Sequence, residues 1–339
     1  MPNANSVSWP VPLTRLYPFY PGQFGVPGTD SDRGLRLDSN GKVLYVDPNH
    51  VDANDQRDGT NPESPLATVA EALTQCRAYM NDVIVVMPNS DWTYGNLSAG
   101  RPLPVRESVI VTVPGVRIVG VSPSGLGVNW YPTADNATCI TVLAMDVTIE
   151  GFCFWNATLA GTSGIVALWS GPVYYGETTT VRHCTFYGLA YGIQFDYAWY
   201  CNVIDCMFDS ITTAAIHNPS VLGDPEYLTI RDCLFLDNAS AINLPDSDYC
   251  DIQHNKFQDN ALAITMLAGN KNIIHENVID EDPTGANNYI NLTGGANNIV
   301  SGNWLGCTIA QYDVTCSDAG SGQWVNNHCT NGDTTAPPL

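Results

Sequence analysis

The chain has 339 residues, with 13 Lys and Arg against 34 Asp and Glu, and a formal charge of −21. Only 14% of its residues are charged and 44% are hydrophobic, which excludes a disordered acidic tail and a fibrous protein. With three lysines (Lys42, Lys256 and Lys271) in so acidic a chain, neither nucleic acid nor an anionic membrane is expected as a direct partner.

The first residues lack the basic and apolar regions of a signal peptide. No run of about 18 apolar residues occurs, so no transmembrane segment is expected. Eleven cysteines, an odd number, fit reduced thiols used as small core residues better than a disulfide framework.

Residues 1–40 stand apart: six prolines are interleaved with Trp9, Tyr17, Phe19, Tyr20 and Phe24. Proline denies this stretch a ladder of hydrogen bonds, so it reads as an extended arm. Its aromatics need burial, either against the body of the same chain or against another subunit or assembly. Residues 43–47 read as a strand, followed by a turn-rich stretch dense in Asp, Asn, Gly and Pro. Helical spacing of Val69, Leu73, Cys76 and Met80 predicts a helix over 66–80, begun by Ser64-Pro65. Buried strands are expected over 83–87, 109–113 and 116–121.

From there the chain repeats. The pattern apolar-x-x-(Cys/Asn)-x-apolar recurs over 181–186, 203–208, 230–235, 252–257, 274–279 and 300–305, with weaker copies at 149–154 and 325–330. Its fourth position falls at 152, 184, 206, 233, 255, 277, 303 and 328, so most spacings are 22–27 residues. A second short pattern interleaves at 193–195, 216–218, 242–244, 264–266, 290–292 and 312–314. Two short alternating strands in a period this long exclude a propeller blade, and no leucine-rich signature is present. The expected fold is all-β: a single right-handed parallel β-helix of about ten coils with a capping helix and an N-terminal arm. Its segments are an arm (1–40), an entry strand and capping helix (41–82), the β-helix (83–330) and a flexible tail (331–339). Stacked coils make Cys184, Cys206 and Cys233 a thiol ladder, continued by Asn255, Asn277 and Asn303.

The coils, the Asn ladder and the helix before the first coil resemble the pectate-lyase-like right-handed parallel β-helix superfamily over about residues 42–330. Tyr45-Val46-Asp47-Pro48, Asp58-Gly59-Thr60 and the stretch 65–73 are similar to the entry segment of many members. Joined to the Pro/aromatic arm, this entry segment looks most like virion-associated β-helix proteins. The resemblance implies a virion structural protein, a decoration or spike carried on the particle surface by its arm. Implied partners are capsid or tail proteins, further copies of the chain as a trimer, and host surface polysaccharide.

The rival expectation is a polysaccharide lyase or glycoside hydrolase. Its candidate catalytic residues occupy the third repeat position (His183, Asp205, Asp232 and His254, with Glu276), together with Arg231. Carboxyls on adjacent rungs would suit a retaining pair and those two rungs apart an inverting pair, so any acidic ladder on such a fold satisfies one geometry or the other. The alternative is a solvated corner ladder. Tyr174, Tyr175, Tyr197, Trp199 and Tyr200 fall at coil loops, as contacts for glycan or a neighbouring subunit. No cofactor is expected. The Asp-rich loop 47–58 resembles a Ca²⁺ loop only loosely, and neither the cysteines nor the six histidines show zinc spacing.

Overall fold

A computed structural model describes residues 41–87, 104–121, 128–156, 160–168, 176–219, 224–281, 289–318, 322–330, 332–334 and 338. The arm, with Trp9, Tyr17, Phe19, Tyr20 and Phe24, lies outside these residues, as do Tyr174 and Tyr175.

The chain winds into a parallel β-helix with three sheets as walls. The first has eleven strands, from Val43–Val46 to Gln323–Val325; the second has ten, from Val128–Trp130 to Gly332–Thr334; the third has nine, from Val109–Val111 to Cys316–Asp318. Each coil visits the first, second and third sheets in turn. Eight consecutive coils between Arg117 and Asp318 have a strand in all three, and partial coils flank them, against the expected ten or so.

Register is constant because the inward residues stack like on like. In the first sheet Ile149, Val181, Val203, Ile230, Ile252, Ile274 and Val300 lie in line. In the second sheet Phe154, Phe186, Phe208, Phe235 and Phe257 form a continuous stack with ring centroids 4.8–5.1 Å apart. All five are fully buried, and each face-to-face contact adds about 0.5–1.5 kcal/mol to the gain from burial.

The corners between sheets follow one rule: a residue in the left-handed conformation, then a buried residue. At the first corner the left-handed residues are Gly151, His183, Asp205, Asp232, His254, Glu276, Gly302 and Asn326. The buried residues after them run Phe152, Cys184, Cys206, Cys233, Asn255, Asn277, Asn303 and Asn327. The expected thiol and amide ladder is therefore present, with one correction at its end. The last rung is Asn327, not His328, because Val325 pairs with Ser301 and His328 with Trp304. The side chain of Asn327 accepts from the Asn303 main-chain N–H at 3.1 Å and so completes the ladder.

Both ends depart from the repeat. The capping helix α1 covers Val69–Gln75, shorter than expected, and its N-cap is Thr68 rather than Ser64. Its first N–H groups, of Val69 and Ala70, donate to the two carboxylate oxygens of Glu107 at 3.0 Å. It stops at Cys76, where the backbone turns extended, and Asp82 then gathers the Lys42 and Arg77 main-chain N–H groups and the Arg77 guanidinium. At the other end residues 312–314 lie in a second helix, α2 (Ile309–Thr315), not in the expected strand, and the third-sheet strand follows it at Cys316–Asp318. Thr308 and Gln311 close a capping box there, a local signal that overrides alternation. The final pairing, Asn327–Cys329 with Gly332–Thr334, is antiparallel and covers the sheet edge. No helix among the described residues is long and apolar enough to cross a membrane.

Candidate functional site

The acid–base ladder expected at the third repeat position is present as a row: His183, Asp205, Asp232, His254 and Glu276 occupy successive rungs of the first corner. Each has φ between 51° and 57°. Left-handed backbone disfavours β-branched side chains and tolerates Asp, Asn, His and Gly, so the corner itself explains much of this composition.

What surrounds these residues is a chain of ion pairs. Glu150, one coil before His183 and 6% exposed, is the node. It pairs with Arg182 at 2.7 Å, and with Arg117 and the His183 Nδ1 at 3.4 Å each. Burial opposes its ionisation, but the His183 hydrogen bond and the Arg182 charge outweigh that and hold the carboxyl down at about 2. His183 turns its other ring nitrogen to Asp205 at 3.3 Å. Burial would discharge the imidazole, yet its bonds to Asp205 and Glu150 raise it to about 9. At neutral pH His183 is a cation clamped between two carboxylates, with no proton to exchange cheaply. Arg231 closes on Asp232 at 2.6 Å, His254 on Glu276, and His275 on Asp251 at 3.1 Å. The ladder thus places all five candidate catalytic residues, with Glu276, at one edge, but in a largely self-neutralised row. Glu150 escaped the sequence reading, although an acid in the second repeat position, one coil from Arg182, was its signal.

A second cluster, of which Tyr200 alone was expected as a contact, lies at the third corner. Tyr200, Tyr227 and Tyr249 stand on successive rungs with ring centroids 4.7 and 4.8 Å apart and planes within 11°. Lys271 closes the row, its ammonium 4.6 Å from the Tyr249 ring centre and bonded to the hydroxyl. The signal was an aromatic one residue before the buried Cys201, Leu228 and Cys250, spaced 27 and 22 residues like the coils themselves. Tyr200 is 52% exposed. Faces within the stack are occupied by one another, so Tyr227 offers edges and a hydroxyl rather than a platform. Beside this row lie Asp224, Glu226, Asp246 and Asp248. Burial first, then the charge of Asp246 and a hydrogen bond donated to it by protonated Asp224, raise Asp224 to about 6. Trp199 reaches the same place, its indole N–H donating to the Asp224 carbonyl at 3.2 Å. Of the expected glycan contacts, Trp199 and Tyr200 therefore border this acidic corner.

The Asp-rich loop 47–58 spends its side chains on its own backbone. Asp47, Asn54 and Asp58 accept from main-chain N–H groups two residues on, and Asp55 accepts from the Ala67 and Thr68 N–H groups just before α1. These are turn and docking contacts.

Several solved structures align with parts of this chain. Among solved structures, the DFA-IIIase from Arthrobacter chlorophenolicus A6 aligns with a TM-score of 0.48 at 13% identity, over 66% of this chain and 60% of its own. The Geobacillus virus E2 ORF18 protein aligns with a TM-score of 0.47 at 13% identity, over 85% of this chain and 60% of its own. Pectate lyase Pel9A gives 0.36 at 12% identity, over 87% and 78%. This chain therefore spans less than two thirds of the length of the first two. At these identities the likeness concerns the fold alone. No curated protein sequence matches the chain. One family model does, over residues 155–331, just over half of the chain and most of the repeat. On that match the chain belongs to the family described as periplasmic copper-binding protein (NosD).

Proposed function

We propose that the protein is a virion structural protein of the decoration or spike type: a rigid β-helix held on a particle by residues 1–40. The observation that carries the non-catalytic part of this reading is the state of the first corner. Its candidate acids and bases sit where the turn requires such residues, and His183 and Glu150 are fixed in opposite charge states far from neutral titration. Association into trimers is part of the proposal. It draws support from the last coils, where Ile273, Ile299, Val278, Trp304 and Val325 are 37–43% exposed on the outer faces of the first two sheets. Deleting residues 1–40 is expected to abolish incorporation into particles while leaving the circular dichroism and melting of the body unchanged. Full occupancy of particles by the truncated chain would end the anchoring idea.

The family description names copper, and the residues present do not fit a copper site. Thiolate and imidazole are the ligands copper takes most readily. The thiols of Cys184, Cys206 and Cys233 instead contact main-chain carbonyls at 3.2–3.4 Å, and burial drives the first two well above the usual thiol range. His183, His254 and His275 are each taken by a carboxylate. Among the described residues no three His, Cys, Asp or Glu converge as a metal site.

One observation favours the rival reading, an enzyme acting on polysaccharide: Asp224, raised to about 6, stands among three further acids beside exposed tyrosines. A carboxyl raised toward neutral pH among other acids is an arrangement glycoside hydrolysis uses. Incubation with host capsular glycans, followed by absorbance at about 235 nm and by new reducing ends, separates the readings. Product lost in Asp224→Asn, Asp205→Asn or Asp232→Asn would put the enzyme first.

A further inference from the structure

We infer that Cys307 and Cys329 are a redox-responsive pair whose disulfide staples the last coil of the β-helix closed. Their sulfurs lie 3.9 Å apart, in direct contact, at the C-terminal end of the core. The thiols of the first-corner ladder, by contrast, are directed at main-chain carbonyls of their own and the preceding coil. The backbone already ties the two turns together beside the pair. Thr330 donates its N–H to the Cys307 carbonyl at 2.9 Å and its hydroxyl to the same oxygen at 3.2 Å. Cys329 lies in the strand Asn327–Cys329, paired with Leu305, and Cys307 follows that partner strand by two residues, so the two thiols come from adjoining turns of the coil. Forming the bond brings the sulfurs from 3.9 Å to about 2 Å.

Position gives the bond its consequence. The segment from Cys307 to Cys329, a separation of 22 residues, contains α2, the last third-sheet strand and the last first-sheet strand. This is the part of the molecule where the repeat gives way to a helix and an antiparallel strand. A bond here turns the final coil into a closed ring and ties down the strand that pairs with Gly332–Thr334. Stapling a loop of this length restricts the unfolded chain, so it stabilises the end that has lost the regular stacking. Cys329 is 7% exposed and Cys307 is fully buried, so an oxidant arriving from solvent meets Cys329 first. A third thiol, Cys316, is close by; burial raises it first, and the charges of Cys307 and Cys329 add to the effect.

The oxidant is a small disulfide such as oxidised glutathione. The Cys329 thiolate attacks one of its sulfurs, forming a mixed disulfide and releasing one glutathione thiolate. The Cys307 thiol then loses its proton and attacks the Cys329 sulfur, forming the Cys307–Cys329 bond and expelling the second glutathione. The two protein thiols lose two electrons and two protons, and the glutathione disulfide gains them.

The full-length chain equilibrated in glutathione buffers of rising oxidation, then unfolded and alkylated, is expected to show nine reactive thiols where the reduced protein shows eleven (11 − 2). Peptide mapping should place the link between Cys307 and Cys329. The oxidised form should melt about 2–6 °C higher, reversed by dithiothreitol. Cys307→Ser and Cys329→Ser should lose the link, and Cys316→Ser should keep it. If either of the first two fails to fold, the map of the unaltered chain decides alone. Eleven reactive thiols at every potential, or a link involving Cys316, would overturn the pairing. A bond that forms without raising the melting temperature would overturn its role as a staple.

Discussion

The two halves of the first corner solve one packing problem with different chemistry. From Cys184 to Cys233 the residue behind the turn is a thiol, and its polar contacts are weak: Cys206 Sγ lies 3.4 Å from the Ile204 carbonyl and 3.7 Å from that of Val181. From Asn255 to Asn327 it is an amide bonded on both sides. Asn277 accepts the Asn255 main-chain N–H at 2.9 Å through Oδ1, and donates through Nδ2 to the Ile252 carbonyl and to Asn303, both at 2.9 Å. Both residue types are small enough to turn inward behind a left-handed residue. Only the amide supplies an acceptor and a donor that fit the main chain of the coil before it. The thiol half relies on apolar burial, while the amide half is a hydrogen-bonded spine in which each rung depends on the next.

The sharpest way to break this contrast is to cut one rung in each half. Asn277→Ala leaves the Asn255 N–H, the Ile252 carbonyl and the Asn303 side chain short of a partner in the core, so a loss of about 3–5 kcal/mol is expected. Cys206→Ala removes one sulfur and its two long contacts, for about 1–2 kcal/mol. Urea midpoints compare the two, and amide exchange at Asn255 should accelerate in the first variant alone. Equal losses would mean that the amide spine contributes no more than apolar burial does.

How far the fold was legible follows the same division. Inward residues repeat with the coil, so Ile252, Asn255 and Phe257 could be read as a rung from spacing alone, and so could the thiols. The meaning of the third position could not. A left-handed turn and a catalytic row both favour Asp and His, so residue type alone does not separate them. The slip at the last rung has a simple cause: starting the copy at apolar Val325 puts His328 in the fourth place, but the inward residue is Trp324, paired with Val300, which puts Asn327 there. Glu150 was hidden because its partners Arg117 and Arg182 lie in other coils, 33 and 32 residues away. The tyrosine row was hidden because its aromatics sit outside the apolar pattern used to find the repeat.

A second spine tests the contrast more finely, because it ends in an acid. At the second corner Asn260 accepts the Asn238 main-chain N–H, and Glu281 takes the next position, accepting from the Asn260 main-chain and side-chain N–H groups. Burial raises Glu281 to about 7; the Asn260 bonds oppose the rise, and the charges of Asp259 and Asp280 add to it. A carboxyl raised on folding contributes most when protonated, so its stability is complete below about 4.5 and is lost as pH rises through about 7. Glu281→Gln keeps an acceptor for Asn260 and removes the charge. It should match the parent at pH 4 and exceed it by about 2–3 kcal/mol at pH 8, in urea melts at both pH values. A parent whose stability stays flat across that window would show that Glu281 titrates as an ordinary surface acid.

The smallest expected effect concerns one of the candidate catalytic residues. Asp232 holds φ at 57°, and its pairing with Arg231 is at the surface, with the two side chains 39% and 42% exposed. Exposed ion pairs contribute under about 1 kcal/mol, and Asn tolerates left-handed backbone at least as well as Asp. Asp232→Asn should therefore move stability by no more than about 0.5 kcal/mol. Asp232→Val, which has a similar size and a β-branch, should cost about 2 kcal/mol or more from the turn alone. The ratio of these two losses, measured by urea denaturation, separates the roles: a turn residue responds to branching and ignores charge. If Asn costs as much as Val, the carboxylate itself matters at that corner. The row from His183 to Glu276 would then have to be treated as a charged site rather than a set of bends.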